Sequence, residues 1–362
     1  MQAALYHSFG GPIRVEQVAI PPVPPVDGVL IQTKATGVCR SDWHGWKGHD
    51  DDVKTHGLPF CPGHELSGVV VESTSSAWKR GDRVAVPFIL SCGSCPSCQH
   101  GKPTVCHDQE QPGFTQWGSF AEYVAIPRAT RNLRMLPNTV SHVQAAALGC
   151  RFTTAYRAVV QQGRLRRNQS VAIFGCGGLG LSCIMFAKLT GAYPIVAIDI
   201  SKQALDKARE LGATHTVMAN DDDSVRSQVW QLTDNQGAHV TIDAAGFATT
   251  CEHAVHCTRR AGRMVQVGLP IGGIPPQIPM GLVAGRELEL VGSHGFAADD
   301  LPRLLDMVAT GQLDPLRLVE QCVSLEEGAQ VLMDMDTKSP LGMTVITKFS
   351  TTSGDSYQTS KL

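Results

Sequence analysis

Along the first 38 residues short apolar runs, such as Val29 to Thr33, are broken by Pro-rich joints, of which Pro21-Pro22-Val23-Pro24-Pro25 is the densest. Strand formers interrupted at such short intervals predict a β-rich unit with many turns. Between His64 and Val86 apolar positions alternate, Val69 and Val71 and then Val84 and Val86, on either side of the turn Lys79-Arg80-Gly81-Asp82. That alternation predicts two further strands. The run from Ala145 to Tyr156 is able to open a long helix, and after it the pattern changes. Short apolar strands (Val171-Ala172-Ile173-Phe174, Pro194 to Asp199, Val240 to Asp243, Met264 to Gly268, Leu288 to Val291) are separated by longer segments, the first of them the helix-like Leu181 to Leu189. Such alternation predicts a parallel sheet with crossover helices.

A length of 362 residues favours two domains, and 43% hydrophobic content is ample for ordinary cores. The net charge of -2 offers no basic field for nucleic acid or an anionic membrane, so the expected partner is a small molecule. No apolar run approaches the roughly 20 residues of a membrane span. The start, Met1-Gln2-Ala3-Ala4-Leu5, lacks a basic region followed by an apolar one, so a soluble, unsecreted chain is expected. In that setting its 12 Cys read as reduced thiols and metal ligands. The Asp50-Asp51-Asp52 run between Gly48 and Gly57 reads as a solvated loop, as do His49 and His56 beside it. The polar stretch Ser350 to Leu362 reads as a disordered tail. Ser360-Lys361-Leu362 at a free C-terminus is a peroxisomal import address, read by its receptor. In a eukaryote this implies a peroxisome or glycosome, and otherwise the cytoplasm.

Candidate chemistry concentrates in Gly37-Val38-Cys39-Arg40-Ser41-Asp42-Trp43-His44 and Pro62-Gly63-His64-Glu65-Leu66-Ser67-Gly68. The Cys39 thiolate and His64 imidazole are ligand types that zinc prefers, and two such ligands plus a third leave one coordination position open for chemistry. Asp42 can take the second N–H of a ligating His and fix its tautomer. A hydroxyl at Ser41, an imidazole at His44 and a guanidinium at Arg40 stand beside it. Further on, Cys92, Cys95, Cys98 and Cys106 in Cys-x2-Cys-x2-Cys-x7-Cys order can close a tetrahedron around zinc with no open position, which makes a structural site.

Gly175-Cys176-Gly177-Gly178-Leu179-Gly180 follows the strand Val171 to Phe174 directly and opens the helix-like segment. Gly175, Gly177, Gly178 and Gly180 permit a tight turn and close approach of a pyrophosphate, whose charge meets the helix N-terminus. Asp199 lies 19 residues past Gly180, where a carboxylate accepts hydrogen bonds from ribose hydroxyls and repels a 2'-phosphate. NAD is therefore favoured over NADP.

Cys-Arg-Ser-Asp followed by His, together with Gly-His-Glu-x-x-Gly, resembles the zinc-containing alcohol dehydrogenases of the medium-chain dehydrogenase/reductase superfamily. The resemblance implies an α/β fold: a Rossmann doubly wound parallel sheet over 152–293, nested in a β-rich GroES-like catalytic domain over 1–151 and 294–349, with a tail over 350–362. It makes Cys150 the third ligand of a catalytic zinc, with Glu65 as a nearby competitor that exchanges with water. Arg40 would meet the NAD pyrophosphate, Thr154 and Leu179 would pack near the nicotinamide, and the backbone near Val267 and Leu269 would receive its amide. Ser41 would take the alcohol proton, the nicotinamide ribose would relay it, and His44 would release it. Trp46 and Phe88 match pocket-lining positions, a narrow apolar pocket suiting primary aliphatic or aromatic alcohols. The implied assembly is a homotetramer, or a dimer. Thr74 stands where relatives carry a small Gly or Ala. An NADP-linked aldehyde reductase or secondary-alcohol dehydrogenase of the same superfamily is the alternative, and a cofactor-binding but inactive sensor the remote one.

Overall fold

The computed structural model describes residues 1–220, 222–270, 275–338 and 340–349. Ser360, Lys361 and Leu362 lie outside them. Two compact units are formed. The first comprises Met1–Gly149 and Pro302–Lys338 with the strand Met343–Lys348, and the second Cys150–Leu301. The chain thus returns to the first unit at Pro302 rather than at 294, and Cys150 and Arg151 stand on the second unit's side of the division.

The first unit is organised by one long strand, Val29–Val38. One edge of it pairs antiparallel with Glu65–Ser73 along nearly its whole length. The other edge is shared: Val29 to Gln32 pair with Tyr123–Ile126, and Thr36 to Val38 with Met343–Lys348. Arg83–Val86 adds to the far side of Glu65–Ser73, and Val319–Ser324 runs parallel to Met343–Lys348. The inner face packs Val29, Ile31, Leu66, Val70, Val84, Val86 and Val124. Within Glu65–Ser73 it is Val70 that is buried, while Val69 and Val71 are only half-buried. The Asp50-Asp51-Asp52 run opens the helix Asp51–His56, Asp50 capping it by accepting from the N–H groups of Asp52 and Val53. A carboxylate at that position satisfies helix-end donors that a loop would leave to water.

The second unit holds a six-stranded, wholly parallel sheet. Its order is His215–Met218, Ile195–Asp199, Val171–Phe174, Ala238–Asp243, Thr258–Gln266, Glu289–Gly292. Strand order reverses between Val171–Phe174 and Ala238–Asp243, the switch point at whose carboxyl edge ligands of such sheets bind. The helix Gly178–Thr190 starts there, directly from the Gly-rich turn. Among the described residues no helix is long and apolar enough to cross a membrane.

Gly180 is held by close backbone approach, since a Cβ there would lie 1.8 Å from the carbonyl oxygen of Gly175. Gly177 would meet nothing within 4 Å. Gly180→Ala is therefore expected to cost about 1–3 kcal/mol or more by overpacking, and Gly177→Ala to leave the fold intact. Thermal unfolding of the two variants checks this.

Candidate active site and metal centres

The short helix Arg40–Trp46 follows the long strand of the first unit with Cys39 at its N-cap. Asp42 is fully buried and ties two backbone segments and one ring together. Its Oδ2 accepts from the Cys39 N–H at 3.0 Å, and its Oδ1 from the Gly63 N–H at 3.0 Å and from Nδ1–H of His64 at 2.7 Å. With its tautomer set in this way, His64 presents Nε2, which is buried and has no hydrogen-bond partner. Cys39, His64 and Glu65 each offer a ligand atom within 4.8 Å of the others. Burial pushes the His64 imidazole toward neutrality, but Asp42 and then Cys39 outweigh it and hold the ring well above the ordinary imidazole range. A metal cation at Nε2 would take the place of the proton this favours. A buried ring nitrogen with no hydrogen-bond partner, a cysteine sulfur beside it and an ordered tautomer together fit zinc.

Phe88 and Phe114 pack against the His64 ring, with centroids 5.7 Å and 5.1 Å away, and keep this corner apolar. Phe88 was expected at the pocket; Phe114 carried no sequence signal. Trp46 packs in a core. It is 4% exposed, belongs to a hydrophobic core with Tyr6 and Phe60, and donates from Nε1 to Gly11 O at 2.7 Å. Gly149, the last residue of the unit's long first segment, has non-helical backbone angles and presses on Glu65, whose Cβ would lie 2.6 Å from a Cβ at 149. Cys150 is the next residue of the chain.

Arg40 is held by acceptors of the first unit itself. Its guanidinium donates to the carbonyls of Met335 at 2.6 Å and Lys338 at 3.3 Å, and lies 4.9 Å from the centroid of Trp43. It therefore caps the end of the helix Leu325–Asp334. Ser41 is half-buried on the same short helix. His44 is half-buried too, and its Nδ1 lies 3.2 Å from Nδ1 of the exposed His49, with Trp43 packed edge-on against both rings. Burial, His49 and Arg40 lower the His44 pKa, against smaller opposing effects of Cys39 and Asp50. His49 is exposed, as a loop residue is, but its partnership with His44 has no sequence signal.

The four ligand atoms of Cys92, Cys95, Cys98 and Cys106 also lie within 4.8 Å of one another. The Cys92 sulfur accepts from the N–H groups of Ser94 at 3.4 Å and Cys95 at 3.2 Å, which lower its pKa to about 6. Cys106 accepts from the Cys92 N–H at 3.3 Å. Backbone N–H groups lower Cys95 too, whereas burial raises Cys98 and pushes Cys106 up to about 12, so not all four give up their protons unaided. Four sulfurs gathered with no other ligand type fit a structural zinc site.

In the second unit Gly175 adopts φ +91°, and the amide of Cys176 donates to Asp199 Oδ2 at 2.6 Å. Asp199 Oδ1 accepts from the Ser201 N–H at 2.8 Å, which fixes the carboxylate at the end of its strand. Gly178 and the half-buried Leu179 open the helix, whose first amides have no acceptor within it. Thr154 Oγ1 is buried without a hydrogen-bond partner. The Val267 amide donates to Asp243 O at 3.1 Å. Leu269 is 65% exposed, as are Ile200 at 77% and Phe247 at 68%, all beyond the carboxyl ends of strands. Ile200 and Phe247 were not singled out from the sequence. Large apolar side chains left uncovered around a phosphate-binding turn fit a flat, partly apolar dinucleotide.

Comparison with known proteins agrees with this geometry. The family described as "Alcohol dehydrogenase GroES-like domain" matches residues 26–137 and that described as "Zinc-binding dehydrogenase" matches residues 178–310. An "Alcohol dehydrogenase" of Geobacillus stearothermophilus is 33% identical over 330 residues, covering 90% of this chain and 94% of its own. A "Sorbitol dehydrogenase" of Bacillus subtilis is 29% identical over 333 residues, covering 90% of this chain and 91% of its own. The solved structure of alcohol dehydrogenase TADH from Thermus sp. ATN1 superposes with a TM-score of 0.87 at 29% identity, covering 96% of this chain and all of its own. The chain belongs to the zinc-containing alcohol dehydrogenases of the medium-chain dehydrogenase/reductase superfamily.

Proposed function

We propose that the protein is an NAD-dependent zinc alcohol dehydrogenase that reversibly oxidises primary aliphatic or aromatic alcohols to aldehydes. The observation that supports it most is the Asp42–His64 pair, which leaves a buried, unpartnered Nε2 beside Cys39. Cys150, one peptide bond beyond the residue that presses on Glu65, is the third ligand in this reading, with Glu65 in reserve. When bound, zinc supplies Lewis-acid polarisation of the alcohol oxygen and the nicotinamide supplies the hydride acceptor.

The chain's own residues do the rest. Asp42 holds the His64 tautomer, and Phe88 and Phe114 exclude water from the ligand corner. Ser41 Oγ takes the alcohol proton and His44 passes it outward. The lowered pKa keeps His44 neutral, and so able to accept, to a lower pH than a free imidazole. Asp199 accepts from the adenosine ribose and disfavours a 2'-phosphate.

The test is direct: the zinc-loaded protein is given NAD or NADP with primary, secondary, benzylic and polyol substrates while reduced nicotinamide absorbance is followed. Turnover with NAD and a primary or benzylic alcohol is expected, and a preference for NADP or for polyols would overturn the assignment. The likeness to a sorbitol dehydrogenase is the reason that polyols belong in the panel. In the same proposal the chain assembles as a homotetramer and, where Leu362 is a free C-terminus in a eukaryote, is imported into peroxisomes.

A further inference from the structure

His49 has no place in the mechanism so far. His49 follows the helix Arg40–Trp46 by three residues, and its amide donates to the carbonyl of His44 at 2.9 Å. That backbone bond folds the chain back so that the two rings lie 5.5 Å apart, centroid to centroid, with Nδ1 facing Nδ1 at 3.2 Å. One of the two nitrogens must donate and the other accept. The Trp43 ring stands edge-on to both, its centroid 5.0 Å from that of His44 and 5.5 Å from that of His49. His44 is half-buried and His49 exposed. The pair therefore spans the distance from the protein interior to water by one hydrogen bond between like groups, an arrangement that serves transfer better than structure, because two imidazoles cannot both be charged at such separation.

We infer that His49 is the outer member of a two-imidazole proton exit, receiving from His44 the proton released in alcohol oxidation. The inference rests on the function proposed above. In the step, a new N–H bond forms at His44 Nε2 as the proton arrives, and the N–H bond at His44 Nδ1 breaks. Its proton bonds to His49 Nδ1, and His49 Nε2–H gives a proton to water or buffer. One proton enters and one leaves, and no electrons are exchanged. Exchange with water resets both rings: half-buried His44 loses the Nε2 proton and regains one at Nδ1, and exposed His49 loses the Nδ1 proton and regains one at Nε2, with no net proton gained. The charged groups that bear on His44 are Arg40, which favours the neutral ring, and Cys39 and Asp50, which oppose it; Lys47 Nζ lies 6.0 Å from the Trp43 ring centroid.

The experiment compares wild type, His49→Gln and His44→Gln in alcohol oxidation from pH 5.5 to 9, in dilute and in concentrated Tris. In dilute buffer His49→Gln is expected to lose roughly tenfold in rate, less than the roughly 10²-fold of a directly acting general base. Concentrated buffer base should restore it, while wild type is indifferent to buffer concentration. An unchanged rate and pH profile for His49→Gln in dilute buffer overturns the inference. Absence of turnover in wild type would instead sink the functional reading, so a second measurement is independent of activity. In 15N NMR of histidine-labelled protein, His44 and His49 are expected to titrate as a coupled pair, with the coupling lost in either variant. Independent titrations overturn the inference whatever the enzyme does.

Discussion

His64→Ala is expected to empty the candidate catalytic site of zinc and to lower alcohol turnover by roughly 10³-fold or more. The magnitude follows from the several kcal/mol that a Lewis acid contributes to charge development, at about 1.36 kcal/mol per factor of ten. The variant also unmakes the network around Asp42, whose Oδ1 would keep the Gly63 N–H but lose the ring that it positions. Asp42→Asn grades the effect. The ring remains, but its orienting partner is neutral, and a loss of about 10–100-fold in metal affinity or activity is expected for such a change. Metal content by mass spectrometry and kcat on the same preparations check both. Wild-type zinc content and kcat in His64→Ala would remove this site from catalysis.

Cys106→Ser should act on a different quantity. Four cysteine sulfurs contributed by 15 consecutive residues, Cys92 to Cys106, converge within 4.8 Å of one another, so a metal among them ties the lobe together. Structural zinc contributes apparent free energies of about 10–16 kcal/mol to isolated zinc-finger peptides at neutral pH, so even a fraction of that would unfold the lobe. The expected result is a drop from two zincs per chain to one, a lower Tm, and retention of the ion associated with His64. The Cys92 sulfur, with its pKa at about 6, would become an oxidisable thiolate once the metal is gone. Two zincs in Cys106→Ser would show that the cluster does not close around a metal.

What was legible in the sequence were features encoded locally. The strand, Gly-rich turn, helix and acidic residue from Val171 to Asp199 are consecutive, and each has a backbone requirement that only a few residues meet. The face of Glu65–Ser73 was harder to read, because that strand is paired on both edges and buried on both faces over much of its length, so polar residues do not mark an outside. Asp50 looks like a solvated charge until its side chain is seen to replace two missing helix acceptors. Trp46 could have lined a pocket or filled a core, and composition does not separate the two. Arg40 finds its acceptors 295 and 298 residues away, beyond any motif. The His44–His49 contact depends on how a helix ends, which spacing alone does not specify.

The pairing of Thr344 with Val38 sets a timetable for synthesis. The long strand's C-terminal half waits for a partner made 306 residues later, a delay of about 15–60 s at the roughly 5–20 residues per second of translation. The parallel sheet of the second unit, by contrast, lies within one uninterrupted stretch and is complete when Gly292 emerges. Nascent chains should therefore hold a finished nucleotide-binding unit beside a first unit that still has an open edge, one exposed to premature pairing with neighbours on the same message.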